Sequence, residues 1–308
     1  MSVTPVTWPA VLVEAFTETA CGGNGASVLL LDRPADPETL QAIASSLNQS
    51  ETAFLWRHPD GWLLRWFTPT CEVQLCGHAT LAATLALGHW GQLAGGCGEW
   101  LHTRSGALEV TLGPEEATSS AVIVLPSSGL VPATATKALQ SYLQEHLGAT
   151  TEGYWHSPLG YRVVLLPATA PLAGAELPAG SLPAEEQGGL VLMQPFAPEL
   201  AASRRPQVLG APCDYQLRFL APGLGIAEDS VTGSAHALVA PWWQERLARP
   251  IVVGWQCSHR PGGMHCEGAS SGMIRLSGSG HLLWDGTLRI GCNSSVRSDG
   301  DGWSSLLA

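Results

Sequence analysis

One stretch of the chain is written twice, and this limits the folds open to it. Leu64-Arg-Trp-Phe-Thr-Pro69, running on to Leu75-Cys-Gly-His-Ala-Thr-Leu-Ala-Ala83, returns as Leu217-Arg-Phe-Leu-Ala-Pro222 followed by Glu228-Asp-Ser-Val-Thr-Gly-Ser-Ala-His236. In each copy an apolar strand carrying an Arg ends at a Pro, crosses a short acidic loop and enters a small-residue segment that starts a helix. Arg65 to Cys76 spans eleven residues and Arg218 to Thr232 fourteen, so the second loop is longer by three. Two copies in 308 residues predict two similar lobes; a solenoid needs several short repeats.

The helix starts carry the chemical interest. A helix N-terminus presents unpaired backbone N–H groups and partial positive charge, and glycine lets a ligand approach them closely. Gly77 and Gly233 are therefore candidate anion contacts. The residues that follow are small and apolar (Ala79, Leu81, Ala82, Ala83; Ala235, Ala237, Leu238, Ala240), as in a helix wrapped by sheet on most sides. The plainer reading is of two tight turns into buried helices.

Composition narrows the classes. The chain is 45% hydrophobic and 13% charged, which suits a large globular core. A net charge of −11 without a Lys/Arg cluster speaks against nucleic acid or an anionic membrane as partner. The first residues lack the basic start and apolar run of a signal peptide, and no stretch reaches the length of a membrane span, so the expected location is the cytoplasm. Eight cysteines without framework spacing are expected as reduced thiols. Cys257, His259, His265 and Cys266 gather soft ligands within ten residues, so a metal site has to be considered, and the intervening Arg260-Pro-Gly-Gly263 reads as a hairpin turn. The Gly22-Gly23-Asn24-Gly25 loop meets neither nucleotide-binding fingerprint.

Pattern predicts strands over 10–16, 24–31, 52–56, 62–67, 99–103, 107–112, 121–126 and 161–166, with later ones near 190–193, 217–220, 251–253, 272–276 and 288–290. Helices are expected over 37–47, from Gly77 to Gly88, over 133–147 and from Gly233 to about 249. Pro167 to Gly189 reads as a surface excursion and the Ser/Gly/Asp-rich tail 291–308 as polar and partly disordered. Asn48 and Glu51 have the spacing of a capping box, while the β-prone Thr52 to Trp56 would set the Glu51 carboxylate at a strand mouth; the residues alone leave both readings open.

Asn48-Gln-Ser-Glu-Thr-Ala-Phe54, Leu64 to Pro69, Leu75 to Thr80 and Glu228 to His236, with Phe16 to Val28 and Gln256-Cys-Ser-His-Arg260, together resemble the PhzF-like phenazine-biosynthesis isomerase family. The resemblance spans most of the chain to about residue 290. It implies an α+β fold related to diaminopimelate epimerase: two similar lobes, each a curled mixed β-sheet or barrel around a central helix, with the active site in the cleft between them. The lobes are expected at 1–126 and 127–290, with a late strand returning to the first.

The same resemblance implies an isomerase of a small carboxylate-bearing metabolite that works without cofactor or metal, as a homodimer. Glu51 would be the acid/base that moves a proton between carbons. His78, Ser234 and the N–H groups of Gly77 and Gly233 would hold the carboxylate or intermediate, and Asp229 would contact the substrate or relay the proton. Two departures stand out: Gly25 and Ser230 occupy places where the family has Pro. His236 and Ser50 are expected as structural neighbours. Cys76 and Thr232 hold matching places, where related epimerases carry a cysteine pair; Thr is too weak an acid for a two-base racemase, which leaves a one-base epimerase or dehydratase using Cys76 as an alternative. A non-catalytic ligand-binding or interaction protein is the other.

Overall fold

The computed structural model describes residues 6–117, 119–270, 272–290 and 297–307. The chain divides into two compact units, one of Met1–Ala15, Gly25–Val124 and Ser279–Ala308, the other of Phe16–Asn24 and Leu125–Gly278. Compared with a single cut near residue 126, Phe16–Asn24 joins the second unit and everything from Ser279 joins the first.

The first unit contains β1 (Val6–Ala15), β2 (Asn24–Leu31), α1 (Pro37–Leu47), β3 (Glu51–His58), β4 (Gly61–Phe67), β5 (Glu72–Val73), α2 (Gly77–His89), β6 (Gly98–Thr103), β7 (Gly106–Leu112) and β8 (Ser120–Pro126). Strand β3 runs parallel to β2, β4 antiparallel to β3, and β5 antiparallel to β4. Helix α2 is the crossover that lets β6 lie parallel to β4, after which β7 returns antiparallel.

The second unit repeats that order. It holds β9 (Val131–Pro132), α3 (Lys137–Leu147), β10 (Gly153–His156), β11 (Arg162–Leu165), β12 (Leu190–Pro195), a separate ladder of β13 (Gln207–Val208) and β14 (Ala211–Pro212), β15 (Tyr215–Ala221), β16 (Ile226–Asp229), α4 (Gly233–Leu247), β17 (Ile251–Gln256) and β18 (Gly262–Gly268). Strand β12 is parallel to β11, β15 and β16 follow antiparallel, and α4 crosses over to β17, parallel to β15, before β18 returns. The duplicated motif is thus a duplicated topology. One long strand, β19 (Met273–Ile290), stands where two short ones were expected; it pairs with β18 over Ile274–Ser277 and with β1 from Gly280 onward.

The central helices are built as their composition requires. Every residue of α2 from Gly77 to Leu87 is buried, so the helix has no polar face to present to water. Helix α4 carries Pro241 in its interior, which removes the N–H that would bond the Ala237 carbonyl. The Ser127 hydroxyl donates to that oxygen at 2.8 Å and repairs the gap.

Local signals place the other helices. Asp36 caps α1 by accepting from the Thr39 N–H at 3.0 Å, with Pro37 in the first turn. Asn48 closes α1 in the left-handed conformation, φ 51°, so the capping-box reading of Asn48 and Glu51 fails and Glu51 opens β3. Helix α3 starts at Lys137 rather than at 133 because Thr136 caps it, accepting from Leu139 N at 3.1 Å.

Two polar-looking segments are bound into cores. Within 167–189, Leu172, Leu177 and Leu182 are buried against the α3 cluster of Leu139, Tyr142 and Leu143, so this stretch is a packed wall of its unit rather than a surface excursion. In the tail, residues 291–296 lie outside the described residues, and the expected disorder fails for 297–307. Trp303, on the short helix α5 (Gly300–Ser304), is fully buried with Trp8, Leu40 and Phe54. Its indole N–H donates to the Ala35 carbonyl at 2.8 Å, while Asp36 and Arg297 exchange two further hydrogen bonds. Among the described residues no helix is long and apolar enough to cross a membrane.

Candidate active site

In the first unit, the start of β3 and the start of α2 bring Glu51, Cys76 and His78 together. All three are buried, at 8%, 7% and 4% exposure. The His78 ring lies between the other two: Nε2 is 3.0 Å from Glu51 Oε2 and Nδ1 is 3.5 Å from Cys76 Sγ. Apart from this ion pair, Glu51 Oε2 has no hydrogen-bond partner among the described residues. Ser50, expected as a mere neighbour, donates its hydroxyl proton to the Gly25 carbonyl at 2.8 Å and stands 3.2 Å from His78 Nε2.

The electrostatics follow from this order. Burial works against a charged imidazole, but Cys76 and Glu51 more than offset it and hold His78 well above its ordinary pKa. Burial, and then the Glu51 charge, push the Cys76 thiol up. Among the described residues, these three are also a set of donors near enough to one another to be considered for a metal. His78 turns a different nitrogen to each neighbour, however, which makes a hydrogen-bonded row rather than a convergent ligand set.

Cys76 is the N-cap residue of α2, yet its side chain makes no capping bond. Gly77 follows it as the first residue of the helix. Thr80 instead donates its hydroxyl proton back to the Cys76 carbonyl at 2.5 Å.

In the second unit the corresponding turn is differently furnished. Thr232 caps α4, again with no capping bond from its side chain, and donates to Asp229 Oδ2 at 2.5 Å. The other oxygen of Asp229 accepts from Asn24 Nδ2 at 2.7 Å. Gln256, fully buried, accepts the Thr232 N–H at 2.8 Å and donates to the Asp229 carbonyl at 2.7 Å. Gly233 opens the helix, and Ser234 beside it lies 3.3 Å from the Tyr161 hydroxyl. His236 is buried and kept neutral, its pKa lowered to about 3 by desolvation, with Nδ1 2.9 Å from the Tyr215 hydroxyl.

One feature of both turns is absent from the sequence reading. Glu72 grips Arg65 through both carboxylate oxygens, at 2.7 and 2.9 Å, and Glu228 grips Arg218 at 2.6 and 2.7 Å. Each glutamate lies four residues before its N-cap, Cys76 or Thr232, so the three extra residues of the second copy fall between Arg and Glu. Asn24, Gln256 and Tyr161 were likewise unassigned by sequence. Motif positions gave Gln256 and Asn24 a place in the resemblance but no role, because their partners lie far away along the chain.

Among the described residues, Cys257, His259, His265 and Cys266 do not gather into a close group of donors. Register places Cys266 opposite Val252, five residues along β17 from Cys257. Cys257 and Cys266 bond to backbone and Tyr215 instead, and burial raises both thiols to about 12.

The sequence profile of phenazine biosynthesis-like proteins matches residues 13–168 and 191–285. The chain belongs to the phenazine biosynthesis-like (PhzC/PhzF) family. It is 33% identical over 285 residues to a protein of Pseudomonas aeruginosa described as an uncharacterized isomerase, covering 90% of this chain and 97% of that one. It is 31% identical over 293 residues to a mouse phenazine biosynthesis-like domain-containing protein, covering 91% and 98%. The crystal structure of a PhzF-family phenazine biosynthesis protein from Enterococcus faecalis superimposes with a TM-score of 0.79 at 26% identity, over 92% of this chain and all of that one. The fold is accordingly the diaminopimelate epimerase-like α+β one, and the protein belongs with the isomerases of this family.

Proposed function

We propose that this protein is a cofactor-independent isomerase of a small carboxylate-bearing metabolite, with Glu51 moving a proton between carbons. The observation that carries the reading is the Glu51 carboxylate: buried, with Oε2 paired to the His78 imidazole and making no hydrogen bond otherwise among the described residues. Removing a proton from carbon without a cofactor calls for a placed base, donors for the developing negative charge, and little water. Glu51 suits the first. The His78 imidazole, held well above its ordinary pKa, and the N–H groups at the start of α2 suit the second, and their burial the third.

For Asp229, Thr232, Gly233 and Ser234 the proposal keeps the substrate contacts and proton relay that the family resemblance implies. A small molecule is then the partner, while homodimeric assembly and a cytoplasmic location belong to the same proposal. The alternative in which Cys76 is the base is less well supported, since burial and Glu51 both favour the thiol over the thiolate that such a role needs. A binding-only protein has little reason to retain all of Glu51, His78, Asp229 and Ser234.

The test is deuterium uptake from heavy water, followed by mass spectrometry, across unsaturated, cyclic and α-amino carboxylates. Uptake into one class with wild type and loss with Glu51→Gln is the expected result. A panel that binds but takes up no label would mean a binding protein.

A further inference from the structure

We infer that Asn24 and Gln256 are positioning residues that together aim the Asp229 carboxylate; this rests on the isomerase reading above. Strand β16 ends at Asp229 and α4 begins at Gly233, leaving Ser230, Val231 and Thr232 as the connection. With Ser at 230, no proline ring restricts that backbone. Side chains hold it instead. The Asn24 amide donates to Asp229 Oδ1 at 2.7 Å and to the Val231 carbonyl at 3.1 Å, so one NH2 group ties the carboxylate to the backbone two residues on. Gln256 takes the Thr232 N–H at 2.8 Å and returns donors to the Asp229 carbonyl at 2.7 Å and to Thr232 Oγ1 at 3.3 Å. The Ser258 hydroxyl donates to the Ser230 carbonyl at 2.7 Å.

Both amides are buried, Asn24 at 4% exposure and Gln256 at 0%. A buried primary amide is tolerated only when its donors and acceptor are matched, and here both amides reach the same short connection. Neither could be replaced by its acid without setting a carboxylate against Asp229 or its carbonyl. The chain also goes to some length to bring Asn24 there. Segment Phe16–Asn24 is fastened to the β17–β18 hairpin by Gly263 N–H to the Phe16 carbonyl at 3.0 Å, Gly23 N–H to the Pro261 carbonyl at 3.1 Å, and Arg260 to the Gly22 carbonyl at 3.2 Å. Gly262 must be glycine for this, because a Cβ there would lie 2.2 Å from the Phe16 oxygen.

The deciding experiment joins crystal structures of Asn24→Ala and Gln256→Ala to their kinetics of deuterium uptake with the carboxylate that wild type labels. The Asp229 carboxylate is expected to turn from its wild-type position, with kcat falling on the order of 100-fold and KM changing by less than about threefold in the folded protein. Asn24→Ser and Gln256→Asn, which keep part of the donor set, are expected to recover part of the loss and stand in if the alanine variants do not fold. An unmoved Asp229, or a displaced one with kcat unchanged, overturns the inference. If wild type labels no compound at all, the isomerase reading fails, and the position of Asp229 in the variant crystals still decides whether these amides aim it.

Discussion

Arg65 and Glu72 form a two-pronged ion pair whose guanidinium is 1% exposed, and Arg218 with Glu228 repeats it in the second unit. The Arg65 guanidinium also lies over the rings of Phe67 and Trp303, at 5.4 and 5.2 Å. Removing Arg65 leaves Glu72 with the exposed Arg104, 3.0 Å away, as its counter-ion. Arg65→Leu is therefore expected to destabilise the protein by about 1–3 kcal/mol in urea unfolding, less than the loss of an uncompensated buried pair. A change within a few tenths of a kcal/mol would mean the fork is incidental to folding.

His78 should titrate above an ordinary histidine because Cys76 and Glu51 outweigh its burial. A raised folded pKa contributes stability that is fully present below the unfolded value, about 6.5, and is lost as pH rises through the folded one. Wild type should therefore lose stability relative to His78→Gln as pH rises above that unfolded value. Its imidazole C–H signals, followed by NMR, should shift at a lower pH in Glu51→Gln than in wild type. Identical titration in the two proteins would contradict the ion pair.

Ser127 and Pro241 should be coupled through the Ala237 carbonyl. Ser127→Ala removes that oxygen's hydroxyl donor and is expected to cost about 1–3 kcal/mol. In a Pro241→Ala background, where the helix N–H is restored, the same change should cost much less. Equal costs in both backgrounds, read from a double-mutant cycle, would show that the hydroxyl is not repairing the helix.

Trp303 should be a core residue despite its polar surroundings in sequence. Trp303→Ala empties a fully buried site and removes the hydrogen bond to Ala35, with an expected loss of about 3–5 kcal/mol in thermal or urea unfolding.

Much of this was legible in sequence wherever the signal is local. The Arg-to-Pro strand and the Gly-plus-small-residue helix start gave the duplicated topology, and β-prone Thr52 to Trp56 offered Glu51 a strand mouth beside the capping-box reading. What stayed hidden depends on contacts distant in sequence. Asn24 meets Asp229 across 205 residues, and Gln256 meets Thr232 across 24. No periodicity encodes such bonds. The excursion and the tail were misread because Pro, Gly and Ser set their average composition. Leucines spaced by five at 172, 177 and 182, and a lone Trp303, were the apolar anchors inside them.

The central claim is that Glu51, not Cys76, exchanges the proton with substrate carbon. Deuterium uptake into the responsive carboxylate, measured side by side for wild type, Glu51→Gln and Cys76→Ala, tests it most directly. The account predicts uptake in wild type, substantial uptake in Cys76→Ala, and none above background in Glu51→Gln. Uptake that persists in Glu51→Gln and disappears in Cys76→Ala would contradict it and make the thiol the base.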